Sequence, residues 1–283
     1  RYSHVGTGNF NPNTARIYED MGLYTADEDI GADLSELFNH LTGYARPASY
    51  RKLVVAPEFL RPEIIERIRE QAALGTEGRI LMKANHVVDA EIVDELYAAS
   101  AKGCPIDLIV RGNCSVRAGV PGLSETIHLR SIVGRFLEHS RIYRFGTPGP
   151  DAIYYIGSAD MMQRNLNNRV EALVPVNDPS LKVRLEEVLE VELADDVLAW
   201  EANPDGSWSK VAPHRGIDTH QQLLDLATRR ARGESNLADD APAWEANPDG
   251  SWTIVFPNLH ITDEELPAGP TTDWATEEVR YQP

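Results

Sequence analysis

The chain has few cysteines and no long apolar run, which limits the classes of protein to which it can belong. Its 283 residues include two cysteines, Cys104 and Cys114, on either side of a predicted strand. Without a second cysteine pair a structural zinc site is disfavoured, and two lone thiols suit a reducing compartment, where we expect them to act as small buried hydrophobic residues. No apolar run approaches the roughly 20 residues that span a bilayer, and no signal peptide is visible.

Basic residues are also scarce relative to acidic ones. The chain has 27 Lys and Arg against 44 Asp and Glu, a formal net charge of −17. Non-specific binding to nucleic acid or to anionic lipid is therefore not expected. The imbalance is uneven, because residues 1–194 carry 27 acids and 21 bases, whereas residues 195–283 carry 17 acids and 6 bases. The first part can still contain a basic cleft.

Three common catalytic motifs are missing from the sequence. It has no Walker A Gly-Lys-Ser/Thr, no His-Glu-x-x-His and no Gly-x-Ser-x-Gly. These absences disfavour a P-loop nucleotide site, a zinc peptidase and an α/β-hydrolase. The glycine-bearing loop at 112–122 could hold an anion with its backbone N–H groups, but this signal is weak by itself.

One stretch near the middle of the chain is typical of phosphate chemistry. Two apolar runs, Ile142–Phe145 and Ile153–Ile156, flank a Gly/Pro turn and predict neighbouring β-strands. His139 and Arg141 precede the first strand, and their i, i+2 spacing in extended chain puts both side chains on one face. A histidine can act as nucleophile, acid or base, while arginine binds phosphoryl oxygens with paired donors. The alternative is a strand-edge histidine beside a surface ion pair.

Further polar residues follow the second strand. Arg164, Arg169 and Asp160 are secondary candidates for the phosphate site, where Asp160 would orient His139 or an arginine. Arg111 directly follows the apolar run Ile106–Val110, at the strand end where open α/β sheets gather ligands. An ordinary strand-end cation is the alternative for Arg111. Lys83, Asn85 and His86 follow the preceding strand in the same way, with weaker support.

The start of the chain repeats the pattern of the middle. Tyr2–Phe10, followed by Arg16, parallels Tyr155–Met161, followed by Arg169: a strand, glycine, a hydroxyl residue, a small residue, Asn or Asp, and a hydrophobic residue. This self-similarity suggests two related half-domains that face one site. Two such halves, each able to supply a histidine, resemble the phospholipase D superfamily.

The amino-acid sequence of five stretches resembles, more specifically, that of polyphosphate kinases of the first family. The match runs from Arg1 to about Leu193 and covers only the C-terminal part of that family's enzyme. The stretches occur in the family's order, at residues 1–11, 14–18, 108–115, 137–139 and 157–165.

The resemblance implies an activity and a set of ATP contacts. Members of that family reversibly transfer the terminal phosphoryl group of ATP to inorganic polyphosphate through a phosphohistidine. By motif match, Tyr18 would lie against the adenine, as a flat ring suits base stacking, and an ordinary core or loop aromatic is the alternative. Arg111 would bind phosphate, and His139 would contact phosphate and act as proton donor to the leaving group.

The resemblance also implies that part of the site lies elsewhere. The family's phosphorylated histidine belongs to a His-x-Lys motif upstream of the segment that matches Arg1, and nothing in this sequence matches that motif. His4 occupies a family position near the site and is the second catalytic candidate. No residue of this chain is assigned to a metal, and the ligands of Mg²⁺ are expected upstream. Because the chain does not begin with Met and opens within a strand-like motif, we expect a fragment. Since the upstream histidine is absent, we expect this fragment to be inactive alone.

The expected partners follow from the same resemblance. They are ATP or ADP and inorganic polyphosphate, with assembly into a homo-oligomer, no nucleic acid and no transmembrane segment. The expected location is the cytoplasm, at most peripheral to the inner face of the membrane.

The alternation of strand and helix predicts an α/β fold, with phospholipase D-like half-domains and a mixed sheet flanked by helices. Residues 1–50 would be the remainder of the first half, 51–194 the second half and 195–283 a small acidic appendage. Helices are predicted at 33–41, 62–74, 89–100, 127–138, 179–193 and 219–232, and further strands at 53–56, 79–84, 106–110 and 170–176.

All five tryptophans lie in the predicted appendage, and one nine-residue string occurs twice. Trp-Glu-Ala-Asn-Pro-Asp-Gly-Ser-Trp stands at 200–208 and 244–252. Each copy predicts a hairpin with a tryptophan on each arm. Two copies do not make a solenoid. We interpret the appendage as a segment for subunit contact or for covering the rest of the chain, and sugar or peptide binding by the paired tryptophans is the less favoured alternative. Residues 262–283 are expected to be flexible.

Two other functions remain open from the sequence. A phospholipase D-type phosphodiesterase would prefer His-x-Lys in both halves, whereas this chain has His139-x-Arg141 once. A non-catalytic nucleotide- or polyphosphate-binding module is the other alternative.

Overall fold

The computed structural model describes residues 2–8, 11–43 and 48–233, and the backbone of two strands at 243–246 and 252–255. The helices of these residues are α1 Glu28–Leu41, α2 Leu60–Ala73, α3 Ala90–Ala101, α4 Gln163–Asn168, α5 Pro179–Ala194 and α6 Thr219–Ala231. The strands are β1 Ser3–Gly6, β2 Tyr18–Glu19, β3 Gly22–Thr25, β4 Val54–Val55, β5 Ile80–Ala84, β6 Ile106–Val110, β7 Ile127–Ile132, β8 Leu137–Glu138, β9 Ile142–Phe145, β10 Ile153–Gly157, β11 Ala172–Pro175, β12 Ala199–Ala202, β13 Trp208–Lys210, β14 Ala243–Ala246 and β15 Trp252–Val255.

A nine-stranded mixed sheet forms the centre of the fold. Its strand order is β13-β12-β7-β6-β5-β9-β10-β11-β4. The central strands β5, β6 and β7 are parallel, and the other neighbours are antiparallel. One face packs against apolar residues of α2 and α3, and the other packs against those of α1 and α5. The predicted α/β class, with a mixed sheet covered by helices, is confirmed.

Several helices begin where the sequence supplies an acidic cap. The carboxylate of Asp89 accepts a hydrogen bond from the backbone N–H of Ile92 at 3.3 Å, as the predicted helix start requires. Asp27, Asp178 and Asp218 cap α1, α5 and α6 in the same way. Each cap satisfies N–H groups that have no acceptor within the helix.

The helix predicted at 127–138 is wrong. Residues 127–132 form the strand β7, and Leu137–Glu138 form the short strand β8. Along β7 buried residues alternate with more exposed ones, since Ile127 and Leu129 are buried whereas His128 is exposed and Arg130 half-buried. That period of two is the signature of a half-buried strand, and it outweighs the helical spacing assumed from the sequence.

Residues after 195 contribute to the main sheet. β12 pairs with β7, and β13 pairs with β12 through a hairpin that brings Ala202 opposite Trp208. In the second copy of the repeat, β14 and β15 pair in the same register, with Ala246 opposite Trp252. The two predicted hairpins therefore have the expected strands, while the division at residue 195 stays a prediction. The segment at 262–283 lies outside the described residues.

Within the described residues, no helix combines the length and apolar character that a membrane span requires.

Both cysteines are at least partly buried: Cys104 is fully buried and Cys114 is half-buried. Burial raises the pKa of each thiol to about 11. This agrees with the interpretation of both cysteines as small hydrophobic residues.

Candidate functional site

One edge of the sheet collects polar residues from four strands. The parallel strands β5 and β6 end there, and Asn85 and Arg111 are the next residues after them. β9 runs in the opposite direction and begins at this edge, just after Arg141, while β10 returns to it and is followed by Asp160. Strand direction alone thus places these side chains together, as open α/β sheets do with their ligand sites.

Asn85 links the arginine side of the site to the histidine side. Its side-chain oxygen accepts a hydrogen bond from Nε of Arg111 at 2.9 Å, and its amide donates to the backbone carbonyl of His139 at 3.3 Å. The two Nη groups of Arg111 make no hydrogen bond or ion pair within the described part of the chain. The forked end of Arg111 therefore remains able to bind an anion.

His86 lies beside this pair, with Nδ1 of its ring as an acceptor. Its Nδ1 accepts a hydrogen bond from the backbone N–H of Asn113 at 3.0 Å. Burial lowers the pKa of His86, and the charges of Arg111, Arg141 and Arg164 lower it further against the opposing effect of Asp160. Gly112 must be glycine here, because a Cβ would lie 2.6 Å from the ring of His86.

His139 is held by an aspartate that the sequence did not single out. Nδ1 of His139 lies 2.9 and 3.0 Å from the two carboxylate oxygens of Asp20. Asp20 also accepts a hydrogen bond from the hydroxyl of buried Thr7 at 2.7 Å. With Nδ1–H directed at Asp20, Nε2 is the acceptor nitrogen of the ring, and Nη1 of Arg141 lies 3.3 Å from it.

Tyr18 lies next to this histidine. The ring centroids of Tyr18 and His139 are 4.6 Å apart, and the planes are tilted by 48°. The short strands β2 and β8 pair in parallel, so Tyr18 faces Leu137 and Glu19 faces Glu138 across the ladder. The residues after this pair are Asp20 and His139, which explains why their side chains meet.

Arg141, which shares one face with His139 in the sequence pattern, is buried in a network of hydrogen bonds. It is 7% exposed, and its Nη2 donates to Asp160 at 2.9 Å. Its Nη1 donates to the backbone carbonyls of Thr7 and His139 at 2.8 and 2.7 Å. Asp160 in turn accepts hydrogen bonds from the backbone N–H groups of Asn85 and His86 at 2.7 and 3.2 Å. Asp160 therefore orients an arginine, while Asp20 orients His139.

A cleft of about 350 Å³ opens beside Tyr18 and Asp20. His4 lines the same cleft, with its ring centroid 4.5 Å from that of Tyr24. His4 lies so close to Gly22 that a Cβ there would be 2.5 Å from Nε2 of the histidine. The first strand thus brings His4 to the cleft that Tyr18 lines.

The two secondary arginines differ in their surroundings. Arg164 on α4 is exposed, and its charge acts on His86, so it lies near the site. Arg169 is half-exposed, and its guanidinium lies 3.7 Å from the carboxylate of Glu171. A role in phosphate contact stays a proposal for both.

One cluster among the described residues brings three carboxylates together, but a cation of the chain already lies at its centre. Glu19, Glu138 and Glu192 bring their oxygens within 4.8 Å of one another, but the ammonium group of buried Lys83 contacts all three carboxylates. That cation takes the position that a metal would need. Lys83 lies within β5 and is 1% exposed, so its ammonium group binds these carboxylates rather than a phosphate.

Comparisons of the sequence with known proteins all point to one family. The family model described as polyphosphate kinase C-terminal domain 1 matches residues 1–47, and the model described as polyphosphate kinase C-terminal domain 2 matches residues 53–222. The polyphosphate kinase of Thermosynechococcus vestitus is 50% identical over 82% of this chain, and that of Streptomyces coelicolor is 49% identical over 82%.

A solved structure of the same family resembles this fold. The crystal structure of polyphosphate kinase from Porphyromonas gingivalis matches with a TM-score of 0.75 and 35% identity, covering 82% of this chain and 36% of that one. The chain spans about a third of the length of these relatives, 32% for each of the two curated proteins. On the family models and these identities, the chain belongs to the polyphosphate kinase family and corresponds to its C-terminal part.

Proposed function

We propose that this chain supplies the ATP-binding side of a polyphosphate kinase, which reversibly transfers the terminal phosphoryl group of ATP to inorganic polyphosphate through a phosphohistidine. The phosphorylated histidine would come from the part of the family's enzyme that lies before the matched segment. The substrate would be the magnesium complex of ATP, with Mg²⁺ ligands outside the described residues. Assembly into an oligomer and a cytoplasmic location stay predictions from the family resemblance.

The observation that supports this proposal is the meeting of three matched residues at one edge. Asn85 joins Arg111 to the backbone of His139, and His139 lies against the ring of Tyr18. The site thus offers free guanidinium donors, an oriented histidine and an aromatic ring beside a cleft. These groups suit the phosphates and the base of a nucleoside triphosphate.

Each residue then has a distinct role. Arg111 would neutralise phosphate oxygens through its Nη groups, and Tyr18 would stack against the adenine. Asp20 would keep Nδ1–H of His139 directed away from the substrate, so that Nε2, when protonated, contacts phosphate and donates a proton to the leaving oxygen of ADP. Catalysis of phosphoryl transfer depends mainly on such positioning and charge neutralisation.

The proposal can be tested in a chimera in which residues 1–222 replace the matching segment of the Streptomyces coelicolor polyphosphate kinase. We expect the chimera to transfer label from the terminal phosphate of ATP to polyphosphate. The 283-residue chain alone should form none, because it lacks a His-x-Lys motif. A folded chimera that makes no polyphosphate but hydrolyses bis-p-nitrophenyl phosphate would overturn the proposal in favour of a phosphodiesterase. A folded chimera with neither activity would leave a binding module.

A further inference from the structure

A buried group of charges lies directly beneath the candidate site. Lys83, on the central strand β5, is 1% exposed and contacts the carboxylates of Glu19, Glu138 and Glu192. We call these four residues the Lys83 cluster. The distance from Nζ of Lys83 to Glu19 is 3.0 Å. The cluster joins three separate parts of the fold: β2, β8 and helix α5.

Two carboxylates of the cluster are chain neighbours of site residues. Glu19 stands between Tyr18 and Asp20, and Glu138 immediately precedes His139. Both belong to two-residue strands, which pair with each other in parallel and outside the main sheet. A ladder this short cannot fix its own register, so other contacts must hold β2 against β8.

Lys83 supplies such a contact, because one ammonium group binds a carboxylate from each of these strands. Ser140, on the other side of His139, donates its hydroxyl to Glu19 at 2.6 Å. Both chain neighbours of His139 are therefore tied to the Lys83 cluster. The Asp20–His139 contact lies one residue beyond these ties.

Helix α6 closes the cluster from the other side. Nε2 of buried His220 lies 2.7 Å from Glu138, and Nδ1 of His220 accepts the backbone N–H of Phe136 at 3.3 Å. Since Nδ1 is an acceptor, Nε2 carries the hydrogen and donates a hydrogen bond to Glu138. The segment before His139 is thus fixed to α6 as well as to β5.

One ammonium group faces three carboxylates in the cluster, which favours protonation of the most buried carboxylate. Burial raises the pKa of Glu192 well above its usual value. Burial alone would also raise the pKa of Glu138, but the charge of Lys83 and the hydrogen bonds from His220 and Lys83 lower it to about 2. Burial would lower the pKa of Lys83, and the surrounding carboxylates raise it well above its usual value. Lys83 therefore stays charged while it binds Glu19 and Glu138.

We propose that Lys83 is a positioning residue of the site: by holding Glu19 and Glu138 together, it fixes the register of β2 against β8 and so the contact between Asp20 and His139. The geometric part of this inference concerns the chain alone. Its catalytic consequence rests on the proposed function.

The test is the tautomer of His139 in the 283-residue chain, measured by NMR with ¹⁵N-labelled histidine and assigned with His139→Gln. In the parent chain we expect the Nδ1–H form. In Lys83→Met we expect the two tautomers to mix, because Asp20 is no longer held at Nδ1. The matched control is Arg144→Met, which removes an equally buried cation that pairs with Glu186 of α5 away from the site. It should leave the His139 signals unchanged.

Equal behaviour of Lys83→Met and Arg144→Met at His139 would overturn the inference. If either variant fails to fold, the isosteric pair Glu138→Gln and Glu186→Gln decides the question: the first should perturb the His139 signals and the second should not. In the chimera, Lys83→Met should lower kcat more than it raises KM. An inactive parent chimera would contradict the proposed function, whereas unchanged His139 signals in Lys83→Met would contradict the positioning role.

Discussion

Replacing His139 with glutamine in the chimera is expected to lower kcat for polyphosphate synthesis by about 10²–10⁴-fold, the usual contribution of a positioned acid or base. Glutamine preserves a polar side chain of similar reach but has no nitrogen that can take up and release a proton near neutral pH. Because Asp20 occupies Nδ1 of His139, the loss is assigned to Nε2, the nitrogen proposed to donate a proton to the leaving group. The measurement is steady-state label transfer from ATP to polyphosphate at saturating substrate.

The matched control for this prediction is His128→Gln. His128 is an exposed histidine on β7, away from the edge that holds the site. It should leave kcat unchanged, and equal effects of the two substitutions would contradict the role of His139. Asp20→Asn should give an intermediate loss, because an amide can also accept the Nδ1–H bond but does not enforce that tautomer.

A large loss of stability is expected from Arg141→Met. Removing this guanidinium leaves the buried carboxylate of Asp160 without its cation, and it deprives two backbone carbonyls of their donor. Breaking a buried ion pair by removing one partner costs about 3–5 kcal/mol. Urea unfolding, extrapolated to zero denaturant, measures this loss directly.

Arg69→Met is the appropriate comparison for Arg141→Met. Arg69 also pairs with a carboxylate, that of Glu95, but its side chain is 65% exposed. Solvent screening limits such a pair to about 0.2–1 kcal/mol. A similar loss of unfolding free energy in both variants would contradict the structural role of Arg141.

Strand order explains why much of the site could be predicted from the sequence. The apolar runs at 106–110 and 142–145 became β6 and β9, and the polar residues at their ends, Arg111 and His139, lie at one edge. Short apolar runs bounded by glycine and proline are a local signal, and strand direction then fixes where their ends lie.

The partners of these residues could not be predicted, because they depend on contacts between distant parts of the chain. Asp20 meets His139 across 119 residues of sequence, and no local pattern marks it. His139 and Arg141 share the spacing of a phosphate-binding pair, but burial against Asp160 commits Arg141 to the fold. Lys83 likewise follows the pattern of a strand-end cation, yet three carboxylates surround it.

The error at 127–138 has a different origin. The segment contains apolar residues at spacings that suit either a helix or a strand, and the choice depends on which neighbours cover it. Parallel pairing with β6 on one side and antiparallel pairing with β12 on the other makes it a central strand. Tertiary pairing of this kind overrides local propensity.

The affinity of the chimera for the magnesium complex of a non-hydrolysable ATP analogue, with and without Arg111→Met, tests the central claim most directly. Loss of charge-assisted hydrogen bonds from the Nη groups of Arg111 should weaken binding by about 1.5–3 kcal/mol, or about tenfold to a hundredfold. Arg69→Met should leave the affinity unchanged. Calorimetric affinities that do not differ between the parent chimera and a folded Arg111→Met variant would contradict the placement of the ATP phosphates at this edge of the sheet.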